Sequence, residues 1–129
     1  MTNVPKWMRA ALWATAVMNL LGAVTFVPQI TLGREMMGLP ATGHPLYLWI
    51  IAEFIFVFGV AYGWCAWTAR APRVFVAVAA AGKLAFFVTM AACWLAGDLP
   101  MKAALGASGD LLFGSLFVCW LVQTQAKTV

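Results

Sequence analysis

Charge is what this sequence lacks most. Only 9% of its 129 residues are Asp, Glu, Lys or Arg, against 64% hydrophobic. A soluble domain covers its surface with about a quarter charged residues, so most of this chain's outer surface must face something other than water. Histidine is scarce as well. His44 is the single copy, which leaves no Ser/His/Asp set and no His-based metal cluster. The three cysteines, Cys65, Cys93 and Cys119, fall in apolar runs with no CxxC spacing. A redox or metal site therefore has nothing to build on, and the thiols read as small apolar groups. No glycine-rich phosphate loop is present, and no cofactor is implied. The net charge of +4 is spread over ends and short loops. A nucleic-acid footprint needs a basic stripe; scattered positive ends suit anionic lipid headgroups instead.

What the sequence has is four long apolar runs, 10–27, 46–68, 74–96 and 103–122, punctuated by Pro28, Pro45 and Gly97. Each is near the ~20 residues that cross a ~30 Å hydrocarbon layer. The expectation is an all-α, integral membrane four-helix bundle of up-down topology, one transmembrane domain over residues 1–129. The first run is long for a signal peptide, and Phe26-Val27-Pro28 makes a poor cleavage site. Lys6, Arg9, Arg70, Arg73 and Lys127 share one side, while Arg34 and Lys102 lie on the other with the acids Glu35 and Asp98. Positive residues favour the cytoplasm, which puts both termini there. Trp7, Trp64, Trp67 and Trp120 are expected near the inner interface, and Trp49 and Trp94 near the outer one, the zones indole rings prefer. The first loop, 31–44, is predicted to form a short interfacial turn of helix, and His44 before Pro45 reads as a helix cap.

The chain also looks internally duplicated, as two helical hairpins in tandem. Arg9 and Arg73, Asn19 and Lys83, and Gly33 and Gly97 are each 64 positions apart. If the second loop is seven residues shorter, Glu53-x-x-Phe56 lies over Asp110-x-x-Phe113. Both units would run in and back out, a parallel repeat about the membrane normal.

Each apolar run carries one strongly polar residue: Asn19, Glu53, Lys83 and Asp110. At ~1.5 Å per residue, Asn19, Glu53 and Asp110 sit ~10–12 Å below the loop end of their spans, and Lys83 ~18 Å below. The lysine stem can snorkel upward to meet the others. A charge in hydrocarbon costs a few kcal/mol or more, so these groups are expected to turn inward and pair, Lys83 between Glu53 and Asp110 with Asn19 adding amide hydrogen bonds. Fully ionised, the layer would hold one net negative charge. Small residues at Ala16, Ala23, Gly59, Gly63, Gly106 and Gly114 would let the helices approach closely. Such a layer is either structural glue or a binding or catalytic site; no catalytic residue stands out, since Lys83 would hold both acids ionised and so work against acid–base use.

Four short motifs resemble the DoxX-like small four-helix membrane proteins of bacteria: Gly22-x-x-x-Phe26-x-Pro28, Phe58-Gly59-x-Ala61-Tyr62, Gly82-Lys83 and Gly109-Asp110-Leu111-x-Phe113. The resemblance covers nearly the whole chain. It implies a four-helix bundle, often duplicated or dimeric, in the bacterial inner membrane; some relatives are associated with quinol or sulfur-compound oxidation and with oxidative-stress complexes, and no catalytic role carries over. The sequence favours an accessory or scaffold subunit over an enzyme, partnered by the bilayer and by another membrane protein or a second copy. The alternative is a binder, carrier or enzyme for a small amphipathic molecule, a quinone or lipid, held at the Asn19, Glu53, Lys83, Asp110 layer. A cavity reaching that layer would favour the alternative; a closed, fully satisfied bundle would favour the scaffold.

Overall fold

Proline starts every long helical segment. Its fixed φ suits the entrance to a helix, where its missing N–H would have had no partner anyway. In the computed structural model, which describes residues 1–127, Pro5, Pro72 and Pro100 are the residues before α1 (Lys6–Thr25), α4 (Arg73–Leu95) and α5 (Met101–Gly106). Pro45 is the first residue of α3 (Pro45–Thr68), and His44 caps it, accepting from the Leu46 amide on Nδ1 at 3.2 Å. The remaining elements are the short helix α2 (Leu32–Met37), the last helix α6 (Ser108–Ala126), and two-residue strands β1 (Thr2–Asn3) and β2 (Arg70–Ala71). The all-α four-helix bundle expected from the apolar runs is the fold of the chain, and its four long helical segments are apolar and long enough to cross a membrane.

The fourth segment differs from a single continuous span. It breaks at Ala107, whose amide is shared between the carbonyls of Ala103 (3.2 Å) and Ala104 (3.1 Å). Asp110 thereby falls in the first turn of a new helix, α6. The first segment starts four residues before the apolar run, at Lys6, because a helix continues past its apolar stretch wherever polar side chains can reach water.

The helices pair as two hairpins, α1 with α3 and α4 with α6, and the pairing repeats in detail. Arg9, near the start of α1, donates to the carbonyls of Ala66 (Nε, 2.7 Å) and Trp67 (3.5 Å) at the end of α3. Arg73, at the start of α4, donates to the Leu121 carbonyl (3.0 Å) and the Thr124 hydroxyl at the end of α6. Each arginine thus ties the start of one helix to the last turns of its hairpin partner. The strands leading into α1 and α4 pair antiparallel, Thr2 opposite Ala71 and Asn3 opposite Arg70, and tie the hairpins together where the chain termini lie.

Packing is uneven along the bundle. Toward the termini, Met8, Leu12, Tyr62, Val76, Phe117 and Trp120 form one buried cluster. Its rings meet at 5.7 Å (Tyr62–Phe117) and 5.5 Å (Tyr62–Phe75). Trp120 therefore belongs to the core, under the Arg73 guanidinium, and not to an interfacial belt. At the loop end a smaller cluster, Met90, Ala103 and Ala107, packs with Leu39, Phe87 and Leu99.

The first loop is organised by a residue that charge counting treats as a surface cation. Arg34 is fully buried and donates six hydrogen bonds, of 2.7–3.2 Å, to the carbonyls of Thr25, Val27, Pro28, Ile30 and Ala41. It gathers four carbonyls at and just after the end of α1 and one that follows α2 onto a single guanidinium. Helix α2 then stops at Gly38, with φ of 72°, where a side chain would also strike Pro100 and Lys102.

Candidate functional site

Three of the four expected polar residues meet between the hairpins. Lys83 on α4 extends its ammonium to Asp110 on α6 at 3.2 Å and to the Asn19 carbonyl oxygen on α1 at 3.4 Å. The Asn19 amide in turn donates to the Ile55 carbonyl of α3 at 2.9 Å. The three side chains thus lock one helix from each hairpin to the other and reach the fourth through its backbone. Lys83 is nearly sealed, with 6% of its side chain exposed, while Asp110 keeps 20%. That difference leaves the carboxylate accessible from one side.

Glu53 does not join them. It lies exposed on the outer surface of α3, and Lys83–Asp110 is the only salt bridge among the described residues. The reason is register. In the structure, Ile55 corresponds to Asp110, since they receive Asn19 and Lys83; Gly59 corresponds to Gly114, since they seat those same two side chains; Tyr62 corresponds to Phe117, since both are core rings. Each pair is 55 positions apart, whereas Glu53 and Asp110 are separated by 57. Two residues turn a helix by about 200°, enough to move Glu53 from the inner face to the outer one. The polar layer inside the bundle consequently holds one cation and one anion rather than a net negative charge.

Glycine makes the close approach possible. A Cβ at Gly59 would lie 3.0 Å from the Asn19 Cβ, and one at Gly114 would lie 3.0 Å from Leu84 and 3.3 Å from the Lys83 Cβ. Side chains there would push α3 off α1 and α6 off α4.

Tyr62 is the functional candidate that sequence reasoning placed only within a family motif. Its ring centroid lies 5.3 Å from the Lys83 ammonium, a cation–π contact. The signal available was an aromatic residue with a polar tip one turn from Gly59, on the same helix face.

Above the terminal core, these groups line a cavity of about 460 Å³. Its deep wall is Asn19, Tyr62, Lys83 and Asp110; its remaining walls are apolar and aromatic, with Phe54, Phe58 and Phe86 prominent. An apolar chamber of this size with a few convergent polar groups is the usual form of a small-molecule site. Among the described residues no group of three or more His, Cys, Asp or Glu comes together. Cys65 is buried, Cys93 half-buried and Cys119 exposed.

Compared with known proteins, the chain matches no family model, no curated protein and no solved structure. Its functional reading therefore rests on this geometry.

Proposed function

We propose that the protein is a multi-pass membrane protein that binds a small amphipathic molecule, a quinone or a lipid, with its polar head at Lys83, Asp110 and Asn19. The observation that carries this reading is the cavity of about 460 Å³ ending on a buried ion pair. A pair serving only as glue is best surrounded by packed side chains, because a hollow beside it forfeits contacts and invites water. Here the hollow lies against the pair. The resemblance to DoxX-like proteins, the bacterial inner membrane and cytoplasmic termini belong to the same proposal, the last supported by five Lys and Arg at the terminal end against two at the loop end.

The test is thermal unfolding in detergent with short-chain quinone and lipid analogues added. A ligand that binds only the folded state raises the midpoint. The parent protein should be stabilised by at least one class, and the Lys83→Met, Asp110→Asn double variant by none. Equal stabilisation of both proteins would count against the site.

One observation favours a second reading, an accessory subunit in a membrane complex. Glu53 stands on the outer surface of an apolar helix, eight residues from its start. An ionisable group facing lipid there costs a few kcal/mol on insertion scales, and a partner helix or second copy covering α3 would relieve that cost.

A further inference from the structure

The four gaps between neighbouring helices are not closed alike. Between α1 and α3, Gly59 seats Asn19, and a Cβ on Gly22 would touch Ile55 at 3.4 Å. Between α4 and α6, Gly114 seats Lys83 and Leu84. Between the hairpins on one side, Met18 of α1 lies over Gly109 and Met37 of α2 over Gly106, so close that a Cβ at either glycine would overlap the sulfur or methyl at 2.9 and 2.7 Å. On the remaining side, α3 and α4 meet through rings toward the termini, where Phe75 stacks on Phe58 at 5.9 Å and tilts against Tyr62 at 5.5 Å. About two turns above Phe75, Gly82 faces empty space: a Cβ there would have no neighbour within 4 Å. Gly82 and the cavity residues Val78 and Phe54, 54% and 64% exposed, border this open seam.

The geometry points to a lateral mouth between α3 and α4, over Gly82, through which the cavity takes up a neutral-headed amphiphile directly from the bilayer. This rests on the ligand-binding reading above and adds the route and the charge class. The route follows from the close glycine contacts at the other three gaps and the open space at Gly82. The charge class follows from the deep wall. Lys83 is already paired with Asp110 at 3.2 Å, and the remaining polar groups there, Asn19 and Tyr62, are uncharged. An anionic head would meet the Asp110 carboxylate beside the ammonium, and a cationic head would compete with Lys83. A hydroxyl or carbonyl head can accept from the ammonium, and a hydroxyl can also donate to the carboxylate, without disturbing the balance. The tail then lies among Phe54, Phe58 and Phe86 and leaves through the seam into lipid.

The experiment uses the full chain in phosphatidylcholine vesicles with two photo-reactive probes, a long-chain alcohol carrying a diazirine beside its hydroxyl and the matching fatty acid. Cross-linked residues are mapped by mass spectrometry. The alcohol should label the deep wall, at Asn19, Tyr62 or Lys83, at least tenfold more than the acid does. Gly82→Trp should reduce that labelling at least tenfold, while Val88→Trp, on the exposed outer face of α4, should leave it unchanged. Val78→Trp, which narrows the same seam from one turn below, supplies the answer if Gly82→Trp does not fold. Undiminished labelling in both seam variants would overturn the lateral mouth while leaving the cavity as a binding site. Equal labelling by the acid would overturn the neutral-head assignment. Labelling spread evenly over the outer helix faces, with none at the deep wall, would overturn this inference and the binding function together.

Discussion

Replacing Lys83 with Met keeps an unbranched apolar stem and removes only the ammonium, so it isolates the charge at the centre of the site. Two acceptors lose their donor, the Asp110 carboxylate at 3.2 Å and the Asn19 oxygen at 3.4 Å. Breaking a buried ion pair from one side costs about 3–5 kcal/mol because the partner charge is stranded. Asp110 retains 20% exposure on the cavity side, and water there would solvate part of the stranded charge. The expected loss therefore falls just below that range, at about 2–3 kcal/mol. It is measured by reversible unfolding in mixed micelles, followed by circular dichroism. Two second-site changes then separate the inner from the outer acid. Asp110→Asn on the Lys83→Met background should recover about 1 kcal/mol or more, since the stranded charge is gone. Glu53→Gln on the same background should recover none of the coupling, because Glu53 faces outward. Recovery by Glu53→Gln equal to that by Asp110→Asn would refute the assignment, as would a Lys83→Met protein as stable as its parent.

Other consequences follow from the same structure. Arg34→Met removes six hydrogen bonds to five carbonyls; a loss of about 3 kcal/mol or more is expected, with amide exchange across residues 26–44 accelerated well beyond that in α4. Gly59→Val should destabilise by about 1–3 kcal/mol by prising α3 from Asn19, whereas Gly82→Ala, facing open space, should lie within about 0.5 kcal/mol of the parent; the contrast is read from paired unfolding curves. A C-terminal alkaline phosphatase fusion should be inactive in cells, and activity in the periplasm would reverse the assigned orientation.

Much of this architecture is legible in the residues because a membrane-length apolar run has few alternatives. The four helices, the cap at His44 and the short helix in the first loop follow from composition, proline and glycine. The Lys83–Asp110 pair follows from the cost of leaving either charge alone among apolar side chains. The outward position of Glu53 is hidden in the sequence for a definite reason. Glu-x-x-Phe and Asp-x-x-Phe make a plausible alignment, but the helices are superposed by Gly59 and Gly114, two residues out of step with it. Apolar runs all round give a helix no amphipathic stripe to fix its rotation, so only packing glycines carry that information. The burial of Arg34 is not legible because an arginine between apolar runs counts as a surface charge unless the carbonyls it must satisfy are known. The cavity is a property of unequal gaps between helices, which depends on where Met18 and Met37 settle and has no counterpart in any single motif.

Whether the hollow against Lys83 and Asp110 holds a molecule from the membrane is decided by native mass spectrometry of protein extracted with its own lipids. The parent should carry one bound species of defined, non-phospholipid or single-lipid mass at one per chain, absent from the Lys83→Met, Asp110→Asn protein. A parent that emerges with no adduct, or with the same ladder of bulk phospholipids as the double variant, would contradict such binding.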